Sequence, residues 1–361
     1  MSPTVIPVRA RDGDYVIEVA RGIRTRIGPA LDAAGLSGAR IAVTSPRVWA
    51  AQGRAIRSVG TRSRSVVVDD GERAKTMRTV GRVHDALVDA GADRAAIVVA
   101  IGGGVIGDLV GFAAATYLRG VRLVQVPTTL MAQVDSAIGG KVGVNHPRGK
   151  NLIGAFHAPR RVLVDPDALT TLPAREFRAG LYEVIKYGVI ASAPLLDRLD
   201  ERLDDLLRQR GDTLADVVAT CCRIKAEIVS ADERESGLRR VLNFGHTAGH
   251  ALEAASGYGR LLHGEAVALG MRVALALGVS RGVTPADLAS RVGTLLDRLG
   301  PVPSVARLPL TTVLAAIGRD KKVVDRTLHF IAATAAGATT TLTDVTSAEL
   351  RRALATIGVG R

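Results

Sequence analysis

Apolar residues along this chain change their spacing near its middle. In the first half, short β-branched runs alternate with helix-length segments: YVIEV (15–19), RIAVTS (40–45), RSVVVDDGE (64–72), AAIVVAIGGG (95–104), VRLVQVPTT (121–129) and RVLVDPDAL (161–169). Apolar runs separated by enough chain for a crossover helix predict a parallel sheet covered by helices. From about Glu176 onward the apolar positions recur at helical spacing, predicting amphipathic helices over 177–190, 195–231, 240–256, 264–281 and 285–299. A chain of 361 residues is long enough for two domains. The expectation is an α/β fold: an N-terminal parallel-sheet domain over 1–176, a mainly α-helical domain over 177–361, and a site in the cleft between them. No internal repeat or low-complexity segment interrupts this reading.

Composition narrows the partners. The chain is 47% apolar but only 3% aromatic, so Ala, Val, Leu and Ile fill its core. A formal net charge of +13 calls for an anionic partner, yet the arginines are scattered rather than gathered into a tail or stripe. Scarce aromatics for base stacking, and no helix-turn-helix, RNP or zinc-knuckle pattern, argue against nucleic acid and leave a small anionic substrate. The only cysteines, Cys221 and Cys222, are adjacent in a helical segment and cannot form an ordinary bridge, which implies a reducing cytoplasm. The N-terminal stretch has no apolar core of a secretory signal. The most apolar run, Ala95 to Leu118, contains Asp108 and five glycines, which suits a strand, loop and helix rather than a membrane span.

Within that run, Gly102, Gly104 and Gly107 satisfy GxGxxG between a strand and a helix, a context in which backbone N–H groups and a helix N-terminus can cradle phosphate. The next strand ends in QVPTT, without the acidic residue expected to hold a ribose, so a tight turn of small residues explains the glycines as well. Another strand end, VVVDDGERAK, offers Glu72 and Lys75 to ribose hydroxyls or pyrophosphate. The stretch 126–159, VPTTLMAQVDSAIGGKVGVNHPRGKNLIGAFHAP, is too polar for a simple turn, and Lys141 and Lys150 supply point charges for phosphate or carboxylate.

The helical half holds a second constellation. In GLYEVIKYG, Glu183 and Lys186 are three apart, either an ordinary helical ion pair or a carboxylate and an ammonium directed into a site. LNFGHTAGHALE and LLHGEAVALG then place His246, His250 and His263, three of the chain's seven histidines, within eighteen residues. Imidazole and carboxylate suit zinc, and a catalytic zinc takes three protein ligands and keeps an open position. Glu183 with two of these histidines makes such a set, although spacing does not say which two; HExxH is absent.

Taken in order, DGERAKT, GGGVIGDLVGF, RGVRLVQVPTTLMAQVDSAIGGKVGVNHPRGKNLIGAFH, GLYEVIKYG, LRRVLNFGHTAGHALE, LHGEAVALGM and RDKK resemble the 3-dehydroquinate synthase family of sugar phosphate cyclases over nearly the whole chain. The resemblance implies an NAD-dependent enzyme with a divalent metal, zinc or cobalt. Such an enzyme converts 3-deoxy-D-arabino-heptulosonate 7-phosphate to 3-dehydroquinate and phosphate, a shikimate-pathway step. The family oxidises a ring alcohol, eliminates phosphate, returns the hydride, opens the ring and closes a carbocycle by an aldol step.

Matched motif by motif, the resemblance implies Glu183, His246 and His263 as metal ligands and His250 as a proton shuttle beside them. Arg119, Lys141, Lys186, Lys225, Arg239 and Asn243 would hold the substrate's phosphate and carboxylate, with one of Lys321 and Lys322 assisting. NAD would contact Asp70, Glu72, Lys75, the loop Gly103, Gly104, Val105, Ile106, Gly107 and Asp108, then Thr128, Thr129, Asp135, Lys141, Lys150, Asn151 and Thr171. Ser45 departs from the family's usual Asn or Asp at that strand end, and the segment after RDKK is looser than the family's strand pair. The family is also expected to be a cytoplasmic homodimer. The competing readings are an amino-dehydroquinate synthase, a valiolone-type cyclase, against which Asn243 and His250 argue, and a metal-dependent oxidoreductase like glycerol dehydrogenase.

Overall fold

The computed structural model describes residues 3–60, 64–209, 211–235, 237–321 and 328–360, without the side chains of Asp320 and Lys321. The chain divides into two compact units, one comprising Met1–Phe177 and Arg208–Glu233, the other Arg178–Leu207 and Arg234–Arg361.

The first unit is built on a sheet of seven strands: β1 (Thr4–Val8), β2 (Tyr15–Val19), β3 (Arg40–Thr44), β4 (Arg64–Val67), β5 (Ile97–Gly102), β6 (Arg122–Pro127) and β9 (Arg161–Val164), ordered β1-β2-β9-β6-β5-β3-β4. All neighbours are parallel except β1 and β2. The apolar runs predict the parallel strands; β1 escapes that reading because TVIPV is short and carries Pro7, which a sheet tolerates at its edge. Helices α1 (Ile27–Ala33) and α2 (Pro46–Arg57) bury Ile27, Leu31, Val48 and Ile56 with Val99, Ile101 and Val124. Helices α3 (Met77–Asp89) and α4 (Gly104–Thr116) bury Val80, Val83, Leu109 and Val110 with Val98 and Leu123.

The stretch 126–159 contains more order than its polarity predicts. Strands β7 (Lys141–His146) and β8 (Gly149–Phe156) form a separate antiparallel hairpin. Alternation in KVGVN sends Val142 and Val144 into the same core as α3 and α4 while polar neighbours stay outside.

Strand order then singles out one end of this sheet by topology. The chain steps outward from β3 to β4 and returns to the other side of β3 with β5, so the order reverses beside β3, and such reversals open crevices at the carboxyl ends of parallel strands. Those ends carry Ser45, the Asp70–Lys75 stretch, the glycine loop and Thr128–Thr129.

A single boundary after residue 176 is the sequence expectation, but the chain changes units three times. Helices α5 (Ala174–Ala191) and α6 (Ala193–Leu207) carry it into the second unit, and α7 (Asp212–Ala231) belongs with the first, packed on β1 and β2. The predicted helix 195–231 is thus two helices, and Gly211, at φ 94°, adopts the left-handed backbone that starts the second.

In the second unit, α8 (His246–Ala255), α9 (His263–Ser280), α10 (Ala286–Arg298), α11 (Leu310–Lys321) and α12 (Ser347–Ala355) surround the antiparallel pair β10 (Phe330–Ala335) and β11 (Ala338–Leu342). Its core includes Leu252, Val273, Leu277, Val313, Phe330 and Leu354. The α8–α9 and α5–α9 contacts are backbone-close. A Cβ on Gly270 would lie 1.8 Å from the Gly245 carbonyl oxygen, and one on Gly264 would lie 1.9 Å from that of Ala179. These contacts draw together the helices that carry Glu183, His246 and His263.

Candidate functional site

The second unit gathers three imidazoles and a buried carboxylate. His246 opens α8, His250 follows one helical turn later, and His263 opens α9; their ring centroids are 5.3, 5.3 and 5.6 Å apart. One ligand nitrogen from each lies within 4.8 Å of the others. Glu183, fully buried on α5, brings Oε1 to 3.5 Å from His246 Nε2 and 3.6 Å from His263 Nε2. Two overlapping sets of three therefore exist, and His246 and His263 belong to both.

The hydrogen bonds fix which ring nitrogens face inward. His246 Nδ1 lies 3.2 Å from the Phe244 carbonyl oxygen, and His263 Nδ1 lies 3.0 Å from Glu253 Oε2. A carbonyl and a carboxylate only accept, so each Nδ1 donates, and in the neutral ring each Nε2 keeps its lone pair. Both lone pairs then face Glu183 Oε1. Lys186 Nζ forms an ion pair with Glu183 Oε2 at 2.5 Å, while Oε1 accepts no hydrogen bond among the described residues. Oε1, facing two converging imidazole nitrogens, therefore meets acceptors and no donor among the described residues, an arrangement that a divalent cation satisfies. The donor set fits the implied metal.

The first unit gathers a different network. Lys75, buried, places Nζ 2.5 Å from Asp108 Oδ2 and 2.5 Å from Asn151 Oδ1. Asn145 donates from Nδ2 to Glu72 Oε1 at 2.7 Å and accepts from the Asn151 N–H at 2.9 Å, while its own N–H donates to the Lys75 carbonyl. Lys150 Nζ lies 4.0 Å from Glu72 Oε1. The hairpin β7–β8 is thereby fastened to the Glu72–Lys75 turn and to the first turns of α4. Burial pushes the Asp108 carboxyl above its ordinary value, opposed by the Lys75 ammonium.

Beside this network the glycine loop leads into α4, whose N-cap residue, Gly103, provides no side-chain cap. The first N–H groups of the helix are left for an anionic ligand. Space is tight there: a Cβ on Gly103 would meet Thr129 Cγ2 at 3.0 Å, and one on Gly104 would meet Ser136 Oγ at 2.8 Å. Thr128 N–H donates to the Gly102 carbonyl, extending the β5–β6 pairing and fixing the threonines beside the loop. Backbone donors in a Cβ-free turn fit the pyrophosphate of the implied dinucleotide.

The remaining expected residues are distributed between the units. Asp70 accepts from Ser45 Oγ at 3.0 Å, so Ser45 ties two strand ends together while also capping α2. Lys225 Nζ lies 2.5 Å from Asp135 Oδ1, and Thr171 Oγ1 accepts from Gln52 Nε2 at 2.7 Å. Arg119 is exposed, with φ at 66°, and Lys141 is exposed at the start of β7. In the second unit Lys186 and Arg239 are buried, and Asn243 donates from Nδ2 to Glu235 Oε1 at 2.8 Å. The expected contribution of Lys321 or Lys322 lies outside what is described, since Lys322 is not among the described residues and the Lys321 side chain is not described.

Three residues at these sites carry no prominent sequence signal: Glu253, Glu235 and Ser136. Glu253 sits three residues after His250 and seven after His246, a spacing that could have drawn attention to it, but ALEAA reads as an ordinary amphipathic helix. Ser136 Oγ is buried without a hydrogen-bond partner among the described residues.

Comparison with known proteins agrees across the whole chain. The family model described as 3-dehydroquinate synthase N-terminal matches residues 65–179, and the one described as 3-dehydroquinate synthase C-terminal matches residues 180–323. A 3-dehydroquinate synthase of Geobacter metallireducens is 46% identical over 89% of this chain and 90% of its own length. One from a Nostoc species is 42% identical over 97% of this chain and 99% of its own. Among solved structures, 2-epi-5-epi-valiolone synthase from Streptomyces hygroscopicus, with NAD+ and Zn2+ bound, superposes with a TM-score of 0.88 at 32% identity, covering 97% of this chain and 98% of that one. A probable glycerol dehydrogenase from Sinorhizobium meliloti, at 17% identity and a TM-score of 0.61 over 94% of each chain, shares the fold alone.

Proposed function

The chain belongs to the 3-dehydroquinate synthase family, and on that premise we propose how its residues divide the work. It is a phosphate-eliminating cyclase that converts 3-deoxy-D-arabino-heptulosonate 7-phosphate to 3-dehydroquinate, with NAD and a divalent metal, zinc or cobalt, as cofactors. The metal, when bound, supplies Lewis acidity at the substrate hydroxyl, and NAD, when bound, supplies a hydride acceptor that is restored within each turnover.

Glu183, His246 and His263 would hold the metal. The carrying observation is the approach of both Nε2 atoms to Glu183 Oε1, at 3.5 and 3.6 Å, an oxygen that accepts no hydrogen bond among the described residues. His250, exposed where His246 is buried, moves the proton of the hydroxyl being oxidised, since an imidazole titrates near neutral pH. Lys141, Lys186, Lys225, Arg119, Arg239 and Asn243 bind the phosphate and carboxylate, which accounts for a cation-rich set around a doubly anionic substrate. The uncapped α4 N-terminus, Thr128 and Thr129 orient the pyrophosphate of NAD. Glu72, Lys75, Asp108, Lys150, Asn151 and Thr171, with Asp70 and Asp135, hold its remaining polar groups. A cytoplasmic location and a homodimeric state belong to the same proposal. No described helix is long and apolar enough to cross a membrane, and both cysteines are buried.

The test is phosphate release. Purified protein with NAD and zinc or cobalt should release phosphate from the heptulosonate phosphate with no net NADH. Accumulating NADH would instead favour the glycerol-dehydrogenase-like reading, and turnover only of an amino-substituted substrate would favour the amino-dehydroquinate reading.

A further inference from the structure

We propose that Glu253 is the positioning residue of the metal site, holding His263 in the tautomer and orientation that present Nε2 to the ion. The proposal rests on the ligand assignment made above. Glu253 stands near the end of α8 and is 4% exposed, so its carboxylate is out of water and needs a donor. His263 Nδ1, 3.0 Å from Oε2, is such a donor. Because a carboxylate can only accept from it, the proton is pinned to Nδ1, and Nε2, 3.6 Å from Glu183 Oε1, is left as the electron-pair donor. Donating to an anion also makes the imidazole a better ligand.

The two histidines of the set are treated unequally. His246 leans on a neutral acceptor, the Phe244 carbonyl, within its own turn of chain. His263 is the first residue of α9 and half-exposed, with a side chain 35% accessible against 11% for His246, so less packing holds its ring. A buried carboxylate from the neighbouring helix replaces that packing. Glu253 touches neither substrate nor ion in this role; it acts through His263.

The experiment is zinc titration of metal-free protein, read as a dissociation constant and repeated with cobalt(II) to follow its visible ligand-field absorption. Glu253→Gln keeps the shape and an acceptor oxygen but removes the charge. It should weaken zinc by about 10- to 100-fold and alter the cobalt spectrum, while the metal-free protein melts at the parent temperature. Glu253→Asp, which keeps the charge but withdraws it by one methylene, should lose affinity as well, and serves if the glutamine variant folds poorly. Parent-like zinc affinity in both variants, with His263→Ala losing the metal, would overturn the role of Glu253. A loss of zinc matched by a fall in the metal-free melting temperature would also overturn it, in favour of simple packing. Parent-like affinity in His263→Ala would instead overturn the ligand assignment itself.

Discussion

The Lys75 network of the first unit, proposed to hold the dinucleotide, and the histidine cluster of the second are both rich in buried polar groups, but they are balanced differently. Around Lys75 charges meet opposites or hydrogen-bond partners: the ammonium sits between Asp108 and Asn151 and Asn145 bridges to Glu72, and elsewhere in the same unit Lys225 meets Asp135. At Glu183 the Lys186 ammonium meets Oε2, but on the Oε1 side acceptors face one another, two imidazole nitrogens towards an oxygen that accepts no hydrogen bond among the described residues. A network that satisfies itself can stand ready for a ligand and exchange bonds when one arrives. A cluster of facing acceptors is stable only to the extent that a cation completes it. The difference teaches that, if these two regions hold NAD and metal as proposed, the NAD contacts would be replaceable one by one, whereas the metal contacts would act together.

The largest effect should come from breaking the acceptor cluster. Glu183→Gln, His246→Ala and His263→Ala should each lose bound metal and about a thousandfold in turnover, the equivalent of about 4 kcal/mol of transition-state stabilisation. His250→Ala should keep its metal and lose turnover alone. Metal content by elemental analysis beside phosphate release separates the two classes, and equal metal loss in all four variants would erase the distinction.

A smaller effect tests the self-satisfied network. Lys75→Met leaves Asp108 without its ammonium in a partly buried place, and should cost about 3 kcal/mol of stability in denaturant unfolding. Adding Asp108→Asn should restore most of that loss without restoring NAD affinity, because the network's internal balance and its contacts to the ligand are separable. If the second substitution recovers nothing, the region is not self-balanced in the sense drawn here.

The smallest effect shows that balance, and not location, is what differs. On the second unit Arg281 binds Glu349 through Nε at 2.7 Å and Nη2 at 2.9 Å, and Thr346 Oγ1 donates to the same carboxylate at 2.6 Å. Hydrogen bonds from Arg281 and Thr346 hold the Glu349 carboxyl well below its usual range. A depressed folded-state value means that this stabilisation is complete above the ordinary glutamate pKa and lost as pH falls through the folded one. Glu349→Gln should therefore lower the melting temperature slightly at neutral pH, with the difference from the parent shrinking in acid. A difference that grows on acidification would contradict the sign.

Much of this was legible without coordinates, for physical reasons that vary with the element. The runs IVVAIG and RLVQVP announce buried parallel strands because both faces are covered and most of their residues are apolar. Strand β1 is obscured by Pro7, and β7–β8 by glycines and lysines that serve its outer face while Val142 and Val144 do the packing. The three histidines stand out by number, and Glu183 by lying in an apolar helix. Which histidines pair with Glu183, and that Glu253 backs one of them, depend on α5, α8 and α9 approaching at Gly264 and Gly270, a three-dimensional contact that no local spacing encodes. The split of 195–231 turns on which core each half joins, and periodicity reads both halves alike.

The passage of α7 into the first unit bears on how such genes can be exchanged. A crossover after codon 176 would look neutral by sequence, yet it would pair Asp135 from one parent with the Lys225 of another, although the two atoms are 2.5 Å apart. Chimaeras that inherit 208–233 together with 1–177 keep that pair intact, so a library built on two breakpoints more should yield more folded members than one built on the obvious single joint.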